Sequence, residues 1–377
     1  MELLANLEQR VLKEIAELEK AGLRRQLNPP AGIDLSSNDY LSFSTHPAIK
    51  KAMAEAALKA GCGATASRLL RGERAEFALV ESKFARFKGT KSALYFGSGY
   101  TANIGVLTAF LKPNDLVFSD QFNHASLIDG LRLSSAKKII FPHCNLSILE
   151  ELLTKETCSG QKFLVTESLF SMDGDQAPLK EYANLCKATN TALIVDEAHA
   201  IGIYGPHGTG LIESEAVEVF LSINPAGKAL GVSGAFVAGP DWAIDYLIQR
   251  ARPFIFSTAP PPPIAAALST SLTLIEQEPE RRKQLLELAI YLRELLILND
   301  IAILHGNSHI IPVMIGDNEK ATKIALSVQK AGFDVRAIRP PTVPVGTARL
   351  RISLNINLDE PTLRQFTSVL RKAIDNV

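Results

Sequence analysis

The strongest constraint on the fold is a unit that repeats along the chain: a short apolar run, a polar cluster at its end, then a helical stretch. Leu116-Val117-Phe118-Ser119-Asp120 leads into Asn123-His124-Ala125-Ser126, and Phe163-Leu164-Val165-Thr166-Glu167 leads into Phe170-Ser171-Met172-Asp173-Gly174-Asp175. Ala192-Leu193-Ile194-Val195-Asp196 closes on Glu197-Ala198-His199, and Lys138-Ile139-Ile140-Phe141 precedes another helix from Ser147. Alternating strand and helix signals require a mostly parallel α/β sheet. Sheets of this kind bind ligands beyond the carboxyl ends of their strands, where the polar residues gather in this sequence.

An earlier stretch adds a phosphate-binding layout. Ser92-Ala93-Leu94-Tyr95-Phe96 reads as a strand, runs into Gly97-Ser98-Gly99-Tyr100-Thr101-Ala102-Asn103, and continues as a helix through Ile104–Leu111. Strand, glycine turn and helix present backbone N–H groups and a helix N-terminus to an anion. The run is neither a G-x-x-x-x-G-K-[ST] nucleotide loop nor a G-x-G-x-x-G dinucleotide turn. Further along, Lys228 stands in a loop of small residues, Asn224-Pro225-Ala226-Gly227-Lys228-Ala229-Leu230-Gly231-Val232-Ser233-Gly234, before the strand-like Gly234-Ala235-Phe236-Val237. Low-polarity surroundings are expected to depress the pKa of this lysine, and a neutral amine there attacks a carbonyl to hold it as a Schiff base. Taken alone, the same lysine reads as a surface residue in a mobile loop.

Around this body the organisation is simpler. Leu3, Leu7, Val11, Ile15 and Leu18, with Leu4 and Leu12, predict an amphipathic N-terminal helix that packs on the body or on a partner subunit. Asn28-Pro29-Pro30-Ala31-Gly32 breaks the chain, the polar cluster Ser36-Ser37-Asn38-Asp39-Tyr40-Leu41 opens a new segment, and residues 61–72 form a small-residue loop. Pro260-Pro261-Pro262-Pro263 marks a boundary. Beyond it a long amphipathic helix through Leu285, Ile290 and Leu296 leads to a second lobe of strand, helix, strand and C-terminal helix. The expected division is 1–45 for an N-terminal helix and arm, 46–262 for the large domain, and 263–377 for the linker helix and small domain.

Charge and cysteines narrow the class. Lys+Arg 40 balances Asp+Glu 40, which gives no footprint for nucleic acid or for an anionic membrane. Cys62, Cys144, Cys158 and Cys186 show no zinc spacing or C-x-x-C pair, so no metal is expected and the thiols are expected to be reduced. The opening residues lack the basic start and apolar run of a signal peptide, and no apolar run is long enough to span a bilayer. These features set the expectation of a cytoplasmic protein.

Asp196 at one strand end, His124 at another, the 97–99 glycine turn and Lys228 together describe a site for pyridoxal 5′-phosphate (PLP). They supply a partner for the pyridine nitrogen, a ring clamp, a phosphate cradle and an amine. Each residue has a plainer reading: a satisfied core histidine, or a carboxylate that caps a helix.

On these residues the sequence resembles the PLP-dependent α-oxoamine synthases of aminotransferase fold type I, nearly end to end. The carrying segments are Ser37-Asn38-Asp39-Tyr40-Leu41, Ser98–Asn103, Asn123–Ser126, Ser171–Asp175, Val195–His199 and Gly227–Gly231. The run Ala337–Arg351, with Ile338-Arg339-Pro340-Pro341-Thr342-Val343-Pro344, is closer to the branch that joins L-alanine to a pimeloyl thioester than to glycine-using relatives. The resemblance implies a large domain with a mostly parallel seven-stranded sheet and a smaller α+β C-terminal domain. It also implies a homodimer with its active site at the interface. The implied reaction is the decarboxylative condensation of L-alanine with pimeloyl-CoA or pimeloyl-acyl-carrier protein to 8-amino-7-oxononanoate, in biotin biosynthesis.

Position by position, the resemblance implies that Lys228 forms the Schiff base and later moves the α-proton. Asp196 holds the pyridinium nitrogen, His199 bonds the ring's phenolic oxygen with Ser171 near the same edge, and His124 stacks on the ring and donates a proton. Ser98, Gly99 and Tyr100 surround the phosphate or acyl side, and Thr258 reaches the phosphate across the dimer interface. Arg351 grips the amino-acid carboxylate, with Asn38 assisting, and Arg24 faces the active site. Two positions depart from the family pattern. Pro225 stands where relatives often carry a phosphate-contacting threonine, leaving Asn224 or Ser222 to compensate, and Phe77 replaces a histidine in what reads as a structural change. A glycine-using synthase, a non-catalytic relative serving as a scaffold, and a phosphate-binding α/β protein without PLP are the competing readings.

Overall fold

The structure is a computed structural model that describes residues 4–377, so Leu3 of the N-terminal stripe lies outside the described residues. The expected strands of the large domain form, and with one more they build a seven-stranded sheet. In chain order these are β1 (Ser92–Phe96), β2 (Leu116–Asp120), β3 (Lys137–Phe141), β4 (Lys162–Glu167), β5 (Thr191–Asp196), β6 (Leu221–Pro225) and β7 (Ala235–Gly239). Their order across the sheet is β1-β7-β6-β5-β4-β2-β3, with β7 antiparallel to both neighbours and all other pairs parallel. Every residue of β2, β6 and β7 is buried, which is why Leu116-Val117-Phe118 in β2 and Ala235-Phe236-Val237-Ala238 in β7 read as continuous apolar runs without alternation. Strand β6 has only its end, Asn224-Pro225, placed in the lysine loop by the sequence, and Leu221–Ile223 are assigned to no element. It is short and ends on Asn224-Pro225, which carry the usual signals of a turn.

Side chains fix the helix starts around this sheet. Ser98 caps helix Gly99–Phe110 through a reciprocal box with Thr101, and Asn145 accepts from the Ile148 amide at the start of Leu146–Lys155. The aromatic core packs face to face. Phe236 of β7 stacks on Phe84 with centroids 4.1 Å apart and planes 7° apart, an arrangement that adds about 1 kcal/mol beyond the area it buries. Phe77 is fully buried and stacks on Tyr95, as a structural residue would.

The chain divides into two compact units. The larger holds Asn38–Ser171 and Asp175–Leu285, and with them the seven-stranded sheet. The other holds the chain up to Ser37, Met172–Gly174 and Leu286–Val377. Helix Pro262–Gln277, which follows the proline run and which the sequence leaves unassigned, belongs to the larger unit, so that unit extends past 262 to Leu285. Its buried Ala265, Leu268, Leu272 and Ile275 face packs on helices Pro47–Ala60 and Ala75–Lys88.

The smaller unit has its own antiparallel sheet of β8 (Ile310–Gly316), β9 (Arg336–Ile338) and β10 (Ala348–Ser353), in the order β9-β10-β8. Helices Asn318–Lys330 and Glu360–Asp375 pack with it. Ser353 donates its amide to Leu35 O, Asn355 donates Nδ2 to Asp34 O, and Arg349 pairs with Asp173, so distant stretches of chain join in this unit. The apolar stripe of helix Ala5–Lys20 is largely exposed at Leu7, Val11, Leu12 and Leu18. Among the described residues no helix is long and apolar enough to cross a membrane.

Candidate active site

Strand ends of the larger unit surround a cavity of about 380 Å³. Asp196 ends β5, the Glu167 carboxyl ends β4 directly beside it in register, and His124 follows β2. The Gly97-Ser98-Gly99 turn after β1 brings in the N-terminus of helix Gly99–Phe110, and Lys228 comes from the loop between β6 and β7.

That loop is held from within. Ala226 N–H donates to Gly234 O (2.8 Å), Val232 N–H to Ala226 O (3.0 Å) and Gly231 N–H to Lys228 O (2.8 Å). Gly231 adopts φ +67°, and a Cβ there would lie 2.5 Å from Phe43, so only glycine permits the turn that presents Lys228.

Asp196 is nearly inaccessible and doubly bonded. Its Oδ2 accepts from Asn103 Nδ2 (2.7 Å) and its Oδ1 from the Ala198 amide (2.9 Å). Asn103 also donates to Ser126 Oγ (2.8 Å), and Ser126 Oγ lies 2.7 Å from His124 Nδ1. One chain of hydrogen bonds therefore ties carboxylate to imidazole. On the opposite side, Tyr40 donates its hydroxyl to Asn38 Oδ1 (2.9 Å) and lies 2.6 Å from His199 Nδ1. Nδ1 of His199 is engaged by Tyr40, so Nε2 is the nitrogen through which it would meet a bound ring.

Electrostatics separates the titratable groups. Loss of water pushes the His124 imidazole below its usual pKa; Asp196 opposes that shift and Lys228 reinforces it. Glu167 is 2% exposed, and burial holds its carboxyl well above the usual range. Asp196 strengthens that effect, while Lys228 and the His124 amide, which donates to Glu167 Oε1 at 2.6 Å, oppose it.

The cavity therefore brings together Lys228, Asp196, His199, His124, Ser98, Gly99, Tyr100 and Asn38, all of them expected from the sequence. Tyr100, expected on the phosphate or acyl side, lines the cavity and donates its hydroxyl to Asp129 on the following helix. Ser171 and Thr258 are not among the lining residues, and Thr258 is exposed. Asn224 and Ser222 do not line the cavity. They are buried in β6, where Asn224 Nδ2 donates to Ser222 Oγ (3.0 Å), so the compensation expected for Pro225 does not come from their side chains. Pro225 itself closes on Gly99, where a Cβ would meet its ring at 2.8 Å. Arg351 and Arg24 belong to the other unit. Arg351 is buried on β10 and donates to Ser353 Oγ (2.6 Å), and Arg24 pairs with Glu19 (2.8 Å).

Sequence reasoning gave no role to Glu167, Asn103 or Tyr40. Their positions at a strand end, in the first helical turns and beside Asn38 were visible, but their partners are set by strand register and tertiary contact.

This donor set fits PLP. The helix N-terminus suits a phosphate, the hydrogen-bonded Asp196 suits a protonated pyridine nitrogen, and the imidazole of His124 and the amine of Lys228 open on the same space.

Comparisons with known proteins bear on this cavity. Residues 30–370 match the family described as aminotransferase class I and II. The chain is 41% identical to 8-amino-7-oxononanoate synthase from Anaeromyxobacter dehalogenans (strain 2CP-1 / ATCC BAA-258), an alignment covering 97% of this chain and 95% of the relative. Among solved structures, a variant of serine palmitoyltransferase from S. paucimobilis with a bound PLP–myriocin aldimine superposes with TM-score 0.92, at 27% identity and full coverage of both chains. The 8-amino-7-oxononanoate synthase of Francisella tularensis superposes with TM-score 0.81, at 30% identity, over 92% of this chain and 98% of that one.

Proposed function

The chain belongs to the aminotransferase class I and II family, and from that premise we propose that it condenses L-alanine with a pimeloyl thioester. The products are 8-amino-7-oxononanoate, CO2 and the free thiol, in a PLP-dependent acyl transfer of biotin biosynthesis. The observation that carries this reading is the convergence of Lys228, Asp196, His124 and His199 on one cavity at a helix N-terminus.

When bound, PLP supplies an aldehyde that binds amines and a ring that accepts the electrons released at the amino-acid α-carbon. The protein's own groups do the rest. Lys228 Nζ holds the cofactor between turnovers, then takes the α-proton and returns it after CO2 has left. Asp196, kept in place by Asn103, holds a proton at the ring nitrogen. His124 packs against one ring face and donates a proton to the carbonyl of the condensed acyl group, its Nδ1 steadied by Ser126. His199 meets the phenolic oxygen, with its own orientation set by Tyr40. Beside Ser98, Gly99 and Tyr100 present the backbone N–H groups of the first helical turn to the phosphate, which is how the site tolerates Pro225 in place of a hydroxyl donor. Arg351 and Asn38 hold the substrate carboxylate, and Arg24 faces the active site. Ser171 supports the phenolic edge. A homodimer in the cytoplasm, with Thr258 serving the partner's phosphate, completes the reading.

The experiment is direct. Protein supplied with PLP, L-alanine and pimeloyl-CoA should release CO2 and form 8-amino-7-oxononanoate, with glycine a poor replacement. Product from glycine at an equal or higher rate would move the chain to the glycine-using branch.

A further inference from the structure

In Asn123-His124-Ala125-Ser126 a histidine stands two residues before a serine at the start of a helix, a spacing that folds the serine amide back onto the imidazole. The hydrogen bonds behind that ring decide which of its nitrogens carries the proton. They begin at Asp196, whose Oδ2 accepts from Asn103 Nδ2 (2.7 Å). The same Asn103 nitrogen donates to Ser126 Oγ (2.8 Å). Turned the other way, the Asn103 amide would set its oxygen against the Asp196 carboxylate, so its two N–H groups face Asp196 and Ser126.

Ser126 is 1% exposed, so its hydroxyl has no bulk water to turn to. The oxygen accepts from Asn103, and its own proton is directed to His124 Nδ1, 2.7 Å away. The Ser126 backbone amide, which can only donate, reaches the same nitrogen at 3.2 Å. Two donors on one ring nitrogen leave it the acceptor. The proton of the uncharged ring therefore sits on Nε2, at the edge away from Ser126, and the ring borders the cavity.

Charge follows the same logic. His124 caps the N-terminus of helix Ala125–Leu133, where aligned peptide dipoles disfavour an added positive charge. Burial is the largest influence on the imidazole and lowers its pKa; Asp196 opposes that shift and Lys228 adds to it. The other groups against His124 are the Glu167 carboxyl, which accepts from its amide, and the edge-on Tyr100 ring, 6.5 Å away between centroids.

We propose that Ser126, oriented by Asn103, is a positioning residue that fixes His124 as the tautomer with its proton on Nε2, so that an uncharged imidazole offers its one N–H to the acyl carbonyl. The carbonyl rests on the condensation reading above; the tautomer does not. The donation ascribed to His124 is then a hydrogen bond from Nε2, made without first forming an imidazolium.

Nitrogen-15 NMR of the PLP-loaded protein, labelled at histidine, tests this. The chain has 7 histidines, and His124→Asn identifies the His124 signals by their loss. Between about pH 7 and pH 8, Nδ1 should show the shift of an unprotonated ring nitrogen and Nε2 that of a protonated one. Charging of the ring should begin only below the ordinary imidazole value of about 6.5. Ser126→Ala removes one of the two donors and should bring a population with the proton on Nδ1 into view. It should also lower kcat about tenfold while KM for L-alanine stays within about twofold, as the loss of one hydrogen bond behind a reacting group predicts. A proton on Nδ1 in wild type, or on both nitrogens at neutral pH, would overturn the proposal. So would a Ser126→Ala spectrum identical to that of wild type. Wild-type protein that condenses no thioester would sink the condensation reading, and the spectrum would still decide the tautomer.

Discussion

His124 and His143 follow neighbouring strands of one sheet, β2 and β3, and both stand among carboxylates, yet their surroundings fit them for opposite tasks. His143 is closed on both nitrogens: Nδ1 lies 2.9 Å from Asp120 and Nε2 2.7 Å from Asp175. Burial opposes its charge, but those two hydrogen bonds outweigh burial and push its pKa up to about 12. His124 Nδ1 meets the hydroxyl and the amide of Ser126, both neutral; the ring borders the cavity and is pushed below the usual imidazole value. A histidine with both nitrogens held by carboxylates is a permanent cation that clips loops together. One with a neutral partner and an open cavity keeps a proton available for exchange.

The largest effect expected lies on the cavity side of this comparison. Lys228→Ala should lower turnover by at least about a thousandfold, as loss of a nucleophile and proton carrier requires, while leaving thermal stability near wild type. Assays of kcat alongside a melting curve check both halves.

On the closed side the order reverses. His143→Ala leaves Asp120 and Asp175 facing each other without their cation. It should destabilise the fold by about 3 kcal/mol in urea titration, with the activity of folded molecules nearly unchanged. The folded-state pKa of His143 is raised, so its contribution to stability is complete below the unfolded imidazole value near 6.5 and is lost as pH rises toward about 12. The stability gap between wild type and His143→Ala should therefore narrow steadily above neutral pH. A gap independent of pH would remove the cation from the account.

Glu167 sharpens the contrast, because burial holds its carboxyl well above the usual range while Asp196 stands beside it in register. Glu167→Gln keeps an oxygen for the His124 amide and should change kcat by less than about threefold, while Glu167→Ala removes that acceptor and should cost about tenfold. Its raised folded pKa predicts that wild type loses stability relative to Glu167→Gln as pH rises through that value. Equal losses in both variants would mean that the negative charge itself is used. The smallest effect belongs to Tyr100→Phe, whose hydroxyl faces Asp129: PLP affinity should stay within about twofold, as is usual for exposed polar pairs.

Much of this arrangement could be read from the chain because the strands of the central sheet are buried on both faces and announce themselves as apolar runs. Their polar ends then fall on one edge by topology alone, which is how Asp196, His124 and His199 could be grouped before any coordinates. The two-unit division was less legible. Met172–Gly174 and the chain up to Ser37 join the C-terminal unit through contacts distant in sequence, such as Arg349 to Asp173 and the pairing of Ile33 with Phe333, and no composition shift marks such contacts. Strand β6 was hidden by its Asn-Pro end, and Glu167 by the pairing of β4 with β5 that sets it beside Asp196. Asn103 and Tyr40 were visible as residues and silent as partners, since each acts across a long stretch of sequence.

The measurement closest to the central claim is borohydride reduction of the PLP-loaded protein, followed by peptide mass spectrometry. The account predicts a phosphopyridoxyl mass on the peptide that contains Lys228, and its disappearance when L-alanine is added before the reductant. A label on any other lysine, or a Lys228 label that L-alanine leaves untouched, would contradict the assignment of this cavity as the active site.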